Sequence, residues 1–313
     1  MPGVKIGIVI SPTCDVPSNF IGTGRLEMLP VSVYARTNVF LDRRNEEETL
    51  RLYRLYLQRH ETAIVTQPLK PSQMVDLFLE QWVTRYDRIF VLCPDSRRSK
   101  IFANATEASY TVLREYKKLR AEAGLTEPFI LRIFDAHILF SGEAVLAFQA
   151  LRLRDVAHES FDGIRRSLET VRGQIRAYLI PDDLYYVYNI ARTRGEESVN
   201  WFTYKAGDLL DIKPVLEMAG GETRPIEKIR GFDKALDWSF KHLEALLHEN
   251  RLSVPVIVLS YGGELDRIRN DPRYQKLFAL GQQQKVAVIL SVLSLSAGAF
   301  VGRGAFSFAY AEK

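Results

Sequence analysis

Apolar residues fall into two patterns along this chain. The first is the short, nearly continuous run, seen at Val4–Ile10, Ile89–Cys93, Phe129–Phe134, Val256–Leu259 and Val286–Val292. Runs of that length suit strands covered on both faces, as in parallel α/β sheets. The second is the helical stripe. Pro71–Tyr86 repeats apolar residues at Met74, Leu77, Phe78 and Trp82, and Phe232–Leu247 does so at Phe232, Leu236, Phe240, Leu243 and Leu247. Each spacing turns one face toward a core. Glu46–His60, Ser99–Ala123, Gly142–Arg152 and Phe161–Tyr178 are predicted as further helices.

Strand and helix alternate, which predicts βαβ units. Residues 1–150 hold a β-α-β-α-β series. A helix-rich middle follows, then Pro214–Arg230, rich in glycine, proline and charge, and a last β-α-β-like stretch closes the chain. The expected architecture is two α/β domains. The first, 1–160, has a mainly parallel sheet flanked by helices; the second, 161–313, has a mixed sheet. A chain of 313 residues can bury such cores without disulfides or metals.

Composition narrows the function by exclusion. The chain is 47% hydrophobic and 26% charged, which is ordinary for a globular protein. Its 42 basic and 38 acidic residues leave a net charge of +4, spread thinly. The densest basic stretch, Arg114–Arg120, sits on a predicted helix and is expected to be a solvated face. No cluster interleaves aromatic and basic residues, so nucleic acid is not an expected partner. Cys14 and Cys93 stand apart near strand ends, as buried free thiols in a reducing cytoplasm would. The opening MPGVKIGIVISPTC lacks the layout of a signal peptide. The apolar stretch Val286–Leu295 is far shorter than the ~20 residues of a membrane span.

Catalytic motifs are absent as well. There is no GxxxxGK[ST] loop and no GxSxG elbow. His242 and His248 lie six apart on one predicted helix, where zinc ligation calls for i,i+4. No metal and no cofactor are therefore expected. What remains is polar residues at the C-terminal ends of strands, where open α/β sheets bind ligands: Ser11, Asp95-Ser96-Arg97-Arg98-Ser99 and Asp135. Ser99 at a helix start suits an anion or serves as an N-cap. Thr66-Gln67-Pro68 also precedes a helix and has the same two readings. Lys213, Lys228, Arg230 and Lys234 could face an acidic ligand or partner, or solvent.

Taken in order, these segments resemble the DegV family of fatty-acid-binding proteins. The family's D-S-x-x-D-L-P opening is matched by Ser11-Pro12-Thr13-Cys14-Asp15-Val16-Pro17, and its P-L/V-x-V stretch by Leu29-Pro30-Val31-Ser32-Val33 with Asp42 behind it. T-S-Q-P is matched by Val65-Thr66-Gln67-Pro68. S-S-x-L-S-G-T-Y-x-x-A is matched by Asp95 to Ala105, and a following D-S by Asp135-Ala136. L-x-Y-L-x-x-G-G-R-I is echoed from Leu184 to Arg192, L-L-x-I-K-P by Leu209–Pro214, and K-x-R-G-x-x-K-A by Lys228, Arg230, Gly231, Lys234 and Ala235. The closing H-x-G-P-G-A becomes Ser294-Leu295-Ser296-Ala297-Gly298-Ala299.

The resemblance implies a non-catalytic carrier that holds a long-chain fatty acid between two domains and presents its carboxyl group to a separate fatty acid kinase. It places the carboxylate near Thr66, Ser96, Ser99, Lys100, Arg192 and Ser294, with Ser11, Gln67 and Asp135 at the mouth. The head-group positions depart from the family. Val65 takes a threonine position, Lys100 and Ile101 take a Gly-Thr pair, Ser11 an aspartate and Ser294 a histidine. Three readings stay open: a fatty acid with altered head-group contacts, a different ligand, or a regulatory interaction protein. A fourth makes Ser99 with Lys100 the nucleophile of an acyl hydrolase.

Overall fold

The run after Val4 forms strand β1 (Ile6–Ile10) in the computed structural model. The model describes residues 4–22, 24–57, 64–194 and 210–313, with side chains to residue 189 in the third of these segments. After a short strand β2 (Glu27–Met28), the chain builds β3 (Val31–Ala35) and β4 (Asn38–Asp42), then helix α1 (Glu46–Tyr56). Asn45 caps α1 by accepting from Glu48 N. The predicted helix Glu46–His60 is thus seen to Tyr56, and His60 lies outside the described residues. Next come β5 (Ile64–Pro68), α2 (Pro71–Leu77) running on into a π turn at Phe78–Trp82, β6 (Arg88–Cys93), α3 (Ile101–Glu122) and β7 (Ile130–Asp135).

These strands make two sheets. One is four-stranded and parallel, in the order β2-β1-β6-β7. Its central strands are sealed on both faces, with Ile8, Val9, Ile10, Phe90 and Val91 wholly buried. That is why they read as unbroken apolar runs. The other is a three-stranded antiparallel sheet, β4-β3-β5. It was not foreseen, because its outward positions Tyr34, Val39 and Val65 are apolar though exposed, and blur the period-2 signal.

Helix α4 (Ser141–Asp155) follows. It packs against β1 and β6 on one side. On the other it meets the second sheet, built after helix α5 (Phe161–Gln174). Ala144, Val145, Leu146, Ala147 and Ala150 are all buried, so α4 has almost no solvent face. A Cβ on Gly142 would stand 2.3 Å from Ile138 Cγ1 and 3.3 Å from Ala177 Cβ, so the bare backbone lets the helix start this close.

The second sheet comprises β8 (Ile175–Ile180), β9 (Ile212–Ala219), β10 (Glu222–Arg230), β11 (Val256–Tyr261), β12 (Ala287–Val292) and β13 (Phe306–Ala311). Between them lie α6 (Leu184–Arg194), α7 (Phe232–His248), α8 (Asp266–Arg269), α9 (Pro272–Gln283) and α10 (Leu295–Val301). The order is β10-β9-β8-β13-β11-β12, with β11-β12 parallel and the rest antiparallel. The two-domain α/β architecture therefore holds, parallel sheet first and mixed sheet second. The division expected near residue 160 falls in the turn between α4 and α5.

Three local expectations change. The predicted helix Phe161–Tyr178 ends at Gln174, and Ile175–Ile180 becomes a central strand because the sheet buries both of its faces. Pro214–Arg230 is a β-hairpin. Gly220 and Gly221, at φ 57° and 79°, make its two-residue turn, which needs positive φ at both positions. Pro225 sits on the edge strand at a register shift, where a missing N–H is tolerated. The last strand, β13, enters antiparallel between β8 and β11 and gives the sheet its mixed character. Cys14 and Cys93 are buried and free, and burial pushes both thiols up.

Candidate functional site

A cavity of about 790 Å³ opens between the N-terminal elements and the second sheet. Its N-terminal wall carries a set of polar side chains among apolar ones such as Val31, Ile64 and Ile101. Strand β5 contributes Thr66 and Gln67, and the segment after it contributes Lys70. Thr66 lies opposite Val33 and Gln67 opposite Ser32 in the antiparallel register, so the two face opposite sides of the sheet. The start of α3 contributes Arg98, Ser99, Lys100 and Asn104. Asn104 Nδ2 donates to Leu69 O at 2.8 Å and ties these two wall segments together. The opposite wall is mainly apolar, with Leu179 on β8, Leu216 and Met218 on β9, and Val187 on α6, beside Thr223 on β10. Ser296 and Phe300, one turn apart on α10, and Thr13 and Phe140 complete the lining named here.

The charge of this lining is one-sided. Among the described residues it holds three cations, Lys70, Arg98 and Lys100, and no aspartate or glutamate. Neither Lys70 nor Lys100 has an ion-pair partner among the described residues, and both are exposed at the rim. Such a wall attracts an anion, and the apolar wall opposite suits a hydrocarbon.

The turn before α3 is set by Asp95. Its Oδ1 accepts from Arg97 N at 2.9 Å, and its carbonyl accepts from Arg98 N and Ser99 N. The Arg97 guanidinium grips the same carboxylate at 3.1 and 3.0 Å. Ser99 Oγ accepts weakly from Ile101 N at 3.3 Å, a capping geometry that leaves its proton available. No hydrogen bond joins Ser99 to Lys100 among the described residues.

The other candidates occupy different roles. Asp135 Oδ1 accepts from Ser96 N at 3.2 Å and His137 N at 3.1 Å, so Ser96 and Asp135 shape the turns at the ends of β6 and β7 and do not line the cavity. Ser294 caps α10, its Oγ accepting from Ala297 N at 2.9 Å. Lys213 is tied to Asp182 and Asp211, each at 3.2 Å. Lys228 and Arg230 lie exposed on edge strand β10, and Lys234 lies exposed on α7. The side chain of Arg192, in α6, falls outside the described residues.

Beneath the cavity lies a buried acidic pair. Ser11 Oγ and Thr13 Oγ1 are 2.7 Å apart. Thr13 donates to Glu143 Oε1 at 2.8 Å, and Phe140 N donates to the same oxygen at 3.1 Å. Burial pushes Glu143 up to about 8, against the pull of the Thr13 hydroxyl. Asp15 is pushed up to about 6, again by burial, against the pull of Arg44. Ser260 Oγ, on β11, donates to Asp15 Oδ2 at 2.6 Å, so this cluster joins the two domains. Glu143 carried no sequence signal beyond its place after Gly142. Thr13 stood inside the opening motif, but only the fold brings it to the cavity. No group of acidic, histidine or cysteine side chains among the described residues is arranged to hold a metal, and no helix among them is long and apolar enough to cross a membrane.

Comparison with known proteins gives one answer. The family model described as an uncharacterised protein, DegV family, matches residues 5–313. A DegV domain-containing protein of Xanthomonas campestris pv. campestris is 39% identical over 310 residues, covering 99% of this chain and 98% of that protein. The crystal structure of DegV, a fatty acid binding protein from Bacillus subtilis, superposes with a TM-score of 0.73 at 19% identity, covering 99% of this chain and 100% of that one. A stearic acid-binding protein from Eubacterium ventriosum superposes with a TM-score of 0.77 at 15% identity, covering 98% of each chain.

Proposed function

The chain belongs to the DegV family, and from that premise we propose that it binds a long-chain fatty acid in the cavity between its two domains. The observation that carries this reading is the divided lining. Among the described residues, a wall with three cations and no carboxylate faces a wall of Leu179, Val187, Leu216 and Met218. A fatty acid is the simplest molecule with one anion at the end of a long apolar body. The volume lies within the ~300–1,000 Å³ of ordinary ligand pockets, and each methylene taken from water contributes about 0.8 kcal/mol. A stearic acid-binding structural neighbour and another loaded with heptadecanoic acid support the same ligand class.

In this reading Thr66, Ser99 and Lys100 meet the carboxylate, with Gln67 at the mouth. Thr66 and Ser99 supply hydroxyl donors. Lys100 supplies a charge where the family motif has glycine. The protein acts as a carrier that presents the carboxyl group to a separate kinase and performs no chemistry itself. Ser99's capping geometry and the lack of a bond to Lys100 favour this over a serine hydrolase.

Denaturing mass spectrometry of the purified protein, before and after incubation with oleate, tests the reading. One fatty acid per chain is the expected result. Recovery of no lipid, together with no uptake of oleate or palmitate, would overturn it.

A further inference from the structure

Among the described residues that line the cavity, Ser296 carries a buried hydroxyl without a partner. Ser296 is 1% exposed, lines the cavity, and its Oγ makes no hydrogen bond. Trp82 Nε1 and Ser253 Oγ are also buried and unpartnered, but neither residue lines the cavity. Buried hydroxyls are normally bonded, and an exception asks for a cause.

Elsewhere in this chain helical hydroxyls satisfy themselves locally. Ser239 Oγ donates to Ala235 O, Thr106 Oγ1 to Phe102 O and Thr170 Oγ1 to Arg166 O, each four residues back. Ser296 has no such recourse. It stands in the first turn of α10, with no helical carbonyl beneath it. The carbonyl four residues back, Val292 O, already accepts from Arg44 Nη2 at 2.6 Å.

The backbone around Ser296 fixes which part of the cavity it addresses. Ser296 N donates to Asp42 Oδ2 at 2.7 Å. Asp42 lies opposite Val31, and Val31 lies opposite Pro68. Val31 and Pro68 both line the cavity. Ser296 is therefore held against the end of the three-stranded sheet where Val31 and Pro68 line the cavity, on a helix that packs on β3 and β5, while Phe300 on the same helix face continues the apolar lining.

We propose that Ser296 Oγ donates a hydrogen bond to the carboxylate of the bound fatty acid. Ser294 caps the helix through its hydroxyl and does not line the cavity. The late motif then reaches the ligand two residues further on, at a position where that motif has glycine. The inference rests on the fatty acid reading above.

The test compares the full chain with Ser296→Ala, Ser296→Gly and Ser296→Thr, using oleate labelled with carbon-13 at either its carboxyl or its methyl end. The alanine and glycine variants are expected to weaken oleate binding about tenfold or more, as loss of a bond to a charged group does. Both should move the carboxyl resonance and leave the methyl resonance in place, and threonine should restore affinity. Ligand-free melting should be unchanged or raised in the alanine variant, because the hydroxyl has no partner in the protein. If wild type takes up oleate and the alanine and glycine variants match it in affinity and carboxyl shift, this inference is overturned while the fatty acid reading stands. If wild type takes up no fatty acid, both fall.

Discussion

Arg44 and Asp15 form an ion pair at 3.1 Å with both side chains sealed from solvent. The same guanidinium donates to the carbonyls of Pro12, Val16 and Val292. Strand β12 supplies Val292, so one arginine links the loop after β1 to the second domain. Arg44→Ala strands three carbonyls and a carboxylate and is expected to cost about 3–5 kcal/mol. Asp15→Asn leaves the three carbonyl bonds in place and should cost about 1–3 kcal/mol. Urea denaturation of both variants measures the difference. Equal losses would mean that the carbonyl bonds contribute nothing.

Glu143 makes stability depend on pH in an unusual direction. Its folded value, about 8, lies above the ordinary 4.5, so the folded protein holds this proton more tightly than the unfolded chain. Stability should fall as pH rises from about 4.5 to about 8. Asp15, raised from 3.8 to about 6, adds a slope of the same sign at lower pH. Glu143→Gln should flatten the upper part, between about 6 and about 8, and leave below it only the shallower slope from Asp15. Urea midpoints across that range test it; an unchanged upper slope in the variant would exclude Glu143 as its source.

Leu216 lies on the apolar wall, 3% exposed. Leu216→Trp fills part of the cavity and should shift preference toward shorter acids. Excluding even two methylenes costs about 1.6 kcal/mol, or roughly fifteenfold in affinity. Oleate should weaken at least that much relative to decanoate, with the far-ultraviolet spectrum unchanged. Parallel losses for both acids would place the acyl chain elsewhere.

Lys100 is exposed at the cavity rim. Lys100→Ala should weaken oleate binding by about two- to fivefold, the scale of a solvent-screened ion pair. The salt dependence of binding should become shallower. Affinity measured at low and high sodium chloride checks both, and an unaltered salt slope would remove Lys100 from the head-group site.

The parallel sheet was legible because β1 and β6 are almost wholly buried and read as apolar runs, and β7, an edge strand with Arg132 exposed, is still mostly apolar. Strand β8 was not legible, because Ile175–Ile180 follows an amphipathic helix with no loop between them, and Gly173 sits inside the last helical turn instead of in a connection; the chain passes at Gln174 straight into a central strand. The hairpin at Gly220-Gly221 hid behind the same glycine, proline and charge that suggest a connection. At the candidate site, Thr66, Gln67, Ser99 and Lys100 stood in the motifs, and all four line the cavity. Ser96, Asp135 and Ser294 stood in the same motifs, yet their polar atoms serve turns and a cap. Motif order cannot tell a hydroxyl used by the backbone from one left for a ligand. Ser296 makes the same point in reverse, since its lack of a partner exists only once α10 is docked beside Asp42.

Helix α4 belongs to neither sheet alone. Ile8 and Phe90 from the first, and Ala177 and Val258 from the second, join one apolar cluster through Val145 and its neighbours. Separating the domains would expose that helix on two sides at once. The two halves should therefore melt as one cooperative unit, and any breathing that admits or releases a ligand must come from elements at the cavity rim rather than from a hinge through its floor.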